Sequence, residues 1–189
     1  MNAKGLLVVI SSPSGGGKTS VIRALLQRES SAFVYSISAT TRPKRPVEKE
    51  GIDYQFVTAE QFERMKKDGA LLEWAEVHGF MYGTVIAPLE EFLRKGKIVL
   101  LDLDIVGARA IRERYPRQSL LIFIKPPSEK VLLQRLQSRS TETEQEIEKR
   151  LTRFRMEMKA ASWFDHVILN DDLPKTIDTV HALIDGKMG

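Results

Sequence analysis

The chain has 189 residues, with 29 Lys and Arg against 25 Asp and Glu, long enough for one globular domain or one domain carrying a small insertion. It holds no Cys and three scattered His, which excludes a disulfide framework and a thiolate metal site and argues against structural zinc. The formal charge of +4 is explained by a polyphosphorylated small molecule, because the basic residues are interspersed with acidic ones, and no apolar stretch approaches the ~18 residues of a membrane span; the cytoplasm is the expected location, with no nucleic-acid or membrane partner and the oligomeric state left open.

The first element is Leu6-Leu7-Val8-Val9-Ile10-Ser11, an apolar run that stops in Ser12-Pro13-Ser14-Gly15-Gly16-Gly17-Lys18-Thr19. It reads as a buried strand feeding a phosphate-binding loop. Consecutive small residues let backbone N–H groups converge on one concave spot at the positive end of the helix that begins near Thr19. Lys18 then reaches the terminal phosphates of a nucleotide, and the Thr19 hydroxyl is placed to hold Mg²⁺ or one of its waters. The spacing follows G-x-x-x-x-G-K-[ST] with one departure, Ser12 at the first glycine, where a small residue still permits a tight turn.

Val21, Ile22, Ala24, Leu25 and Leu26 give the next helix its apolar face as far as about Arg28. A short strand, Phe33 to Ile37, leads into Ser38-Ala39-Thr40-Thr41-Arg42-Pro43-Lys44-Arg45-Pro46, a polar exposed segment running on to Tyr54. Tyr54 to Val57 reads as a strand. Thr58 and Gln61 have the spacing of a capping box for a helix ending near Gly69. Leu71 to Val77 is a further strand, and Pro88 sits where a helix can start, with Leu89, Phe92 and Leu93 on its apolar face until Gly96.

Ile98 to Asp104 is an apolar run suited to a central parallel strand, delivering carboxylates at its C-terminal end, the edge where ligands bind in open α/β sheets. A helix over about 106–115, a strand over 120–124, and helices over about 128–137 and 142–161 follow. The last of these has Thr141 and Glu144 as a capping box and Ile147, Leu151, Phe154 and Met158 on one face. Val167 to Leu169 forms a final strand ending in Asn170-Asp171-Asp172, and Ile177, Val180, Leu183 and Ile184 mark a closing helix. The expected fold is therefore α/β, a P-loop NTPase-type doubly wound parallel sheet. Its core covers 1–35 and 89–189, including a helical lid over about 128–161, with a small mixed α/β unit inserted over 36–88.

A phosphate loop alone says only "nucleotide". The second set of chemical groups lies in the polar segment and after it: Arg42 and Arg45 offer planar forks, Tyr54 and Tyr82 phenolic hydroxyls, and together they can hold a phosphate dianion. By themselves two arginines in a polar loop are as readily a solvated basic surface. Glu73, between Leu72 and Trp74, is by itself as readily an exposed charge on a half-buried strand.

The ordered set Ser12 to Thr19, Ser38-Ala39-Thr40-Thr41-Arg42 with Arg45, Gly51-Ile52-Asp53-Tyr54-Gln55-Phe56, Leu72-Glu73-Trp74-Ala75, Tyr82-Gly83-Thr84, Leu101-Asp102-Leu103-Asp104, Arg139 to Glu144 and Asn170-Asp171-Asp172 resembles the guanylate kinase family, bacterial type, along essentially the whole chain. The resemblance implies phosphoryl transfer from ATP, with Mg²⁺, to GMP, giving ADP and GDP. It makes Ser12, Pro13, Ser14, Gly15, Gly16, Gly17, Lys18 and Thr19 the ATP-phosphate loop, with Thr19 at the metal. It makes Arg42, Arg45, Tyr54 and Tyr82 ligands of the GMP phosphate, Glu73 with Ser38 and Thr84 the readers of guanine, and Asp104 a nucleoside contact. A carboxylate accepts side-by-side hydrogen bonds from guanine N1–H and the exocyclic amine, an arrangement adenine lacks.

Under the same resemblance Arg135, Arg139 and Arg150 are lid arginines that surround the transferring group with positive charge. Each is otherwise a salt-bridged surface residue near Glu142, Glu144, Glu146 and Glu148. Asn170 is assigned to the adenine side. Asp102 has two open roles, holding a water of the Mg²⁺ shell or orienting a GMP-binding arginine. Val47 in place of the usual glycine, Lys44 in place of a frequent proline, and Phe80-Met81 before Tyr82 depart from the family pattern without removing a chemical group. The rival readings are a non-catalytic guanylate-kinase-like module that binds a phosphorylated protein, a kinase of another small metabolite and, third, a nucleic-acid-binding protein.

Overall fold

The computed structural model describes residues 5–13, 16–28, 31–77, 79–129, 131 and 144–189. Its centre is β1 (Leu6–Ser11), buried at every position. β1 pairs in parallel with β7 (Ile98–Asp102) on one side and β8 (Ser119–Lys125) on the other. β2 (Phe33–Tyr35) and β9 (His166–Leu169) complete a five-stranded parallel sheet in the order β2-β7-β1-β8-β9.

Strand alternation sends the two sets of β1 side chains into two cores. Leu6, Val8 and Ile10 pack with Val21, Ile22 and Leu25 of α1 (Lys18–Arg28) and Ile177, Val180 and Ile184 of α6 (Leu173–Met188). On the opposite face, Leu7 and Val9 pack with Leu89 and Leu93 of α3 (Ile86–Arg94) and Ala108 and Ile111 of α4 (Ile105–Arg114). Fully burying each of these larger aliphatic side chains contributes about 1.5–3 kcal/mol. A central strand apolar on both faces therefore dictates helices on both faces, as the expected doubly wound architecture requires.

The second sheet has four strands in the order β4-β3-β6-β5: β4 (Gln55–Phe56), β3 (Ser38–Thr40), β6 (Phe80–Val85) and β5 (Leu71–Val77). β3 runs parallel to β4 and antiparallel to β6, and β5 antiparallel to β6. Its small core is Ala39 and Leu71 under Phe62 of α2 (Ala59–Lys67), whose capping box has both Thr58–Gln61 hydrogen bonds in place.

Several expectations shift. The strand expected over 33–37 ends at Tyr35, and the chain crosses at Ser36-Ile37 into the second sheet, a change of partner that an unbroken apolar pattern does not reveal. β6 is a full strand, and α3 begins two residues before Pro88, directly after it. Proline is tolerated there because first-turn N–H groups have no partner within the helix. β7 ends at Asp102, and Asp104 caps α4, accepting from Val106 N–H and Gly107 N–H. α5 (Glu144–Ala160) runs into a 3₁₀ turn at Ala161–Trp163. The Thr141–Glu144 cap and most of the helix expected over 128–137 lie outside the described residues.

Candidate active site

β1 ends at Ser11, and α1 starts at Lys18 with no acidic residue in its first turn, so its free N–H groups and positive dipole end face the loop undiluted. Ser12 and Pro13 are buried at the entry to the loop, and Gly16 N–H donates to the Pro13 carbonyl at 2.8 Å, closing a tight turn. Ser14 and Gly15 lie outside the described residues. Thr19 is exposed on the first turn beside Lys18.

Lys18 Nζ stands 2.5 Å from Asp102 Oδ1, both side chains about a quarter exposed. The pair follows from topology, since β1 and β7 are adjacent parallel strands whose C-terminal ends share one edge of the sheet. Of the two roles open to Asp102, orienting an arginine falls elsewhere for Arg42: that guanidinium is held by Glu48.

The Glu48 fork is the element of the site that sequence reasoning missed. Arg42 Nη2 donates to Glu48 Oε1 at 2.7 Å and Nη1 to Oε2 at 3.1 Å, while Arg45 N–H donates to Oε2 at 2.8 Å. Both side chains are largely buried, at 12% and 13% exposure. These bonds hold the Glu48 carboxyl below the usual range and raise the Arg42 guanidinium further above its own. Arg42 Nε donates to the Tyr82 hydroxyl at 3.2 Å, and its guanidinium lies 5.5 Å from the centre of the Tyr54 ring, which meets Tyr82 edge-on. Arg42, Tyr54 and Tyr82 thus converge as expected. Arg45 is exposed at the rim. Its carbonyl accepts from Glu48 N–H in a turn that leaves Val47 87% exposed, so a valine is accommodated where the family pattern has glycine.

Ser38, Glu73 and Thr84, which the resemblance assigns to the base, also converge, through register. Ser38 lies opposite Thr84 on β3 and β6, and Thr84 Oγ1 donates to Glu73 Oε1 at 2.6 Å across β6 and β5. Gly83, between Tyr82 and Thr84, faces the other side of the sheet, where an added Cβ would come within 3.1 Å of Phe62 and 3.0 Å of the Glu73 carbonyl. That close packing holds β5 and its carboxylate against β6. Burial, followed by the nearby Asp104 charge, raises the Glu73 carboxyl above its usual value, while the Thr84 hydrogen bond opposes the shift.

The two groups of residues lie within electrostatic reach of each other. Burial raises the Tyr35 and Tyr54 phenols above their ordinary values, and the Asp102 charge adds to the shift in each. Arg135 and Arg139 lie outside the described residues; Arg150 falls on α5, its side chain likewise outside. Asn170, which the resemblance assigns to the adenine side, is 4% exposed, and its amide donates to the Gly16 carbonyl at 2.8 Å. Among the described residues no three His, Asp or Glu cluster as a metal cage; beside the loop, the Thr19 hydroxyl and the Asp102 carboxylate are oxygen donors of the kind Mg²⁺ takes.

A glycine turn between β1 and α1 at the C-terminal edge of a parallel sheet, with an arginine–tyrosine cluster on a second sheet, defines a protein of the P-loop nucleotide-binding class. The family model described as guanylate kinase matches residues 4–187. A guanylate kinase of Rhodococcus jostii is 44% identical over 186 residues, covering 97% of this chain and 89% of the relative. One from Chelativorans sp. is 43% identical over 181 residues, covering 96% and 83%. The crystal structure of guanylate kinase from Anaplasma phagocytophilum superposes with a TM-score of 0.78 at 34% identity, covering 98% of this chain and 87% of that one. The chain belongs to the guanylate kinase family.

Proposed function

We propose that the chain transfers the γ-phosphoryl group of ATP to GMP. The observation that supports the reading is that one chain carries two unlike clusters suited to phosphate, Lys18 with Asp102 at the loop and Arg42 with Tyr54 and Tyr82 on the second sheet, together with a carboxylate at Glu73 held by Thr84. An oxygen of the GMP phosphate attacks the γ-phosphorus in line. A new P–O bond forms as the bond to the β,γ-bridging oxygen breaks, and that oxygen departs with ADP. No protein nucleophile is needed, because positioning and charge neutralisation supply the catalysis.

In this mechanism the backbone N–H groups of the loop and Lys18 hold the donor phosphates. Arg42, Arg45, Tyr54 and Tyr82 hold the acceptor phosphate, and Glu73, Thr84 and Ser38 orient the base, with Asp104 alongside. Thr19 and Asp102 are the residues that would hold Mg²⁺ and its water; bound there with ATP, the ion neutralises charge on the phosphates. Arg135, Arg139 and Arg150 add positive charge over the transferring group, and residues 36–88 act as the acceptor-binding unit. A binding-only module has no use for a lysine paired at the loop, and a kinase of another metabolite has none for Glu73 beside Thr84. The cytoplasm is the compartment we assign to this reading, with both substrates at hand there.

The test is ADP production from MgATP with GMP, AMP, CMP and UMP offered separately. Selective turnover of GMP is the expected result; equal turnover of AMP and GMP, or none in folded protein, overturns the assignment.

A further inference from the structure

The peptide between Gly16 and Gly17 is held from below by a residue 154 positions away. Asn170 follows β9, and its backbone N–H donates to the Lys125 carbonyl at 2.9 Å, so its place is set by the sheet edge. Its Nδ2 donates to the Gly16 carbonyl at 2.8 Å. Behind it, Thr176 Oγ1 lies 3.1 Å from Asn170 Oδ1 and 2.8 Å from the Asp172 carbonyl, sharing its one proton between them. The Gly16 carbonyl can only accept, so the amide nitrogen faces the loop and Oδ1 is left to accept from the Thr176 hydroxyl. Both side chains are buried, Asn170 at 4% and Thr176 at 1% exposure.

A trans peptide is planar, with its carbonyl and the following N–H pointing in opposite directions. Fixing the Gly16 carbonyl on the Asn170 side therefore aims Gly17 N–H to the opposite side, away from Asn170. Asn170 also presses on the loop itself: Gly17 has φ +102°, and a Cβ there would lie 2.2 Å from Asn170 Nδ2. Glycine is needed at this position both for its backbone conformation and for that close approach.

We propose that Asn170, oriented by Thr176, is a positioning residue for the phosphate donor: it sets the Gly16–Gly17 peptide so that the loop presents an N–H to the donor's phosphates. The assignment rests on the loop binding those phosphates, and it replaces a contact between Asn170 and the donor's base. The two roles separate on a donor without a base. Calorimetric dissociation constants for MgATP and for magnesium tripolyphosphate would be measured on the wild type, Asn170→Ala and Thr176→Val, together with KM for GMP and thermal midpoints.

In Asn170→Ala both donors weaken by a similar factor, about tenfold, while KM for GMP stays within about twofold. Thr176→Val moves both donors in the same direction by less. Weakened MgATP with unchanged tripolyphosphate would place Asn170 at the nucleoside and overturn the proposal, as would unchanged binding of both. If Asn170→Ala does not fold, Thr176→Val carries the same comparison. Wild-type protein that bound tripolyphosphate without phosphorylating GMP would count against the kinase reading and leave this comparison intact.

Discussion

Glu48 shows how much of an anion site is built from residues that never touch the anion. Arg42 spends its Nε on Tyr82 and most of its two amino groups on Glu48 and the Pro43 carbonyl, so the fork holds the guanidinium in one pose before any phosphate arrives. Replacing Glu48 by Gln removes half of a charge-assisted fork. We expect KM for GMP to rise about tenfold with KM for ATP unchanged; equal changes in both would show a general loss of structure.

Glu73 makes a second prediction at this scale. Burial and Asp104 favour its neutral form in the folded protein, so folding retains a proton that the unfolded chain releases. Ionising Glu73 therefore costs stability as pH rises from the ordinary carboxylate value near 4.5 through its raised folded value, and the whole cost is present above that. Glu73→Gln should raise the urea midpoint at pH 8, with the gain gone at pH 3, where both states are protonated. The same variant should lose selectivity for GMP over AMP. Because only the carboxylate accepts both guanine hydrogen bonds, wild-type KM for GMP should climb as pH falls toward the Glu73 value, and a flat profile would refute the assigned role.

Among the elements, the second sheet depends on very few buried side chains, with Phe62 of α2 central among them. Phe62→Ala should cost about 3–5 kcal/mol in unfolding free energy and abolish GMP binding before it affects tripolyphosphate binding, because the phosphate loop draws on the other two cores. Calorimetry with each ligand checks this.

Elements and site were legible where physics is local. The β1 run, the glycine turn and the α1 face identify the loop without any distant contact, and Thr58 with Gln61 announces α2 by spacing alone. Legibility fails where the deciding contact is distant. Nothing near Tyr35 says that the strand must end so that Ser38 can pair with Thr84, and Gly83 breaks the pattern of β6 because it packs against Phe62. Glu48 is an ordinary acid in a polar loop until Arg42 folds onto it. Asp104 carries a capping role that a reading for ligand contacts passed over, and the direction of the Asn170 amide is set by a glycine at the far end of the chain.

At the scale of the molecule, the two phosphate sites belong to different sheets joined through Ser36-Ile37 and through the junction of Val85 with Ile86, where β6 passes into α3 with no intervening loop. Transfer needs the acceptor oxygen and γ-phosphorus in near contact with water kept out. We expect the radius of gyration from solution scattering to fall when GMP and a non-hydrolysable ATP analogue bind together, by more than with either alone; an unchanged radius would show that the cleft is already closed.

The parallel pairing of β1 has a consequence for the order in which the protein can be made. Val8 finds its neighbours at Leu100 and Leu120, and the loop after β1 finds its brace at Asn170. During synthesis the phosphate-binding motif precedes both partner strands of β1, and the Asn170 brace follows later still. A nascent chain ending at Asp165 would carry every residue of the motif and bind no tripolyphosphate. Capture of nucleotide by the newborn protein is therefore expected only after β9 and Asn170 have been made.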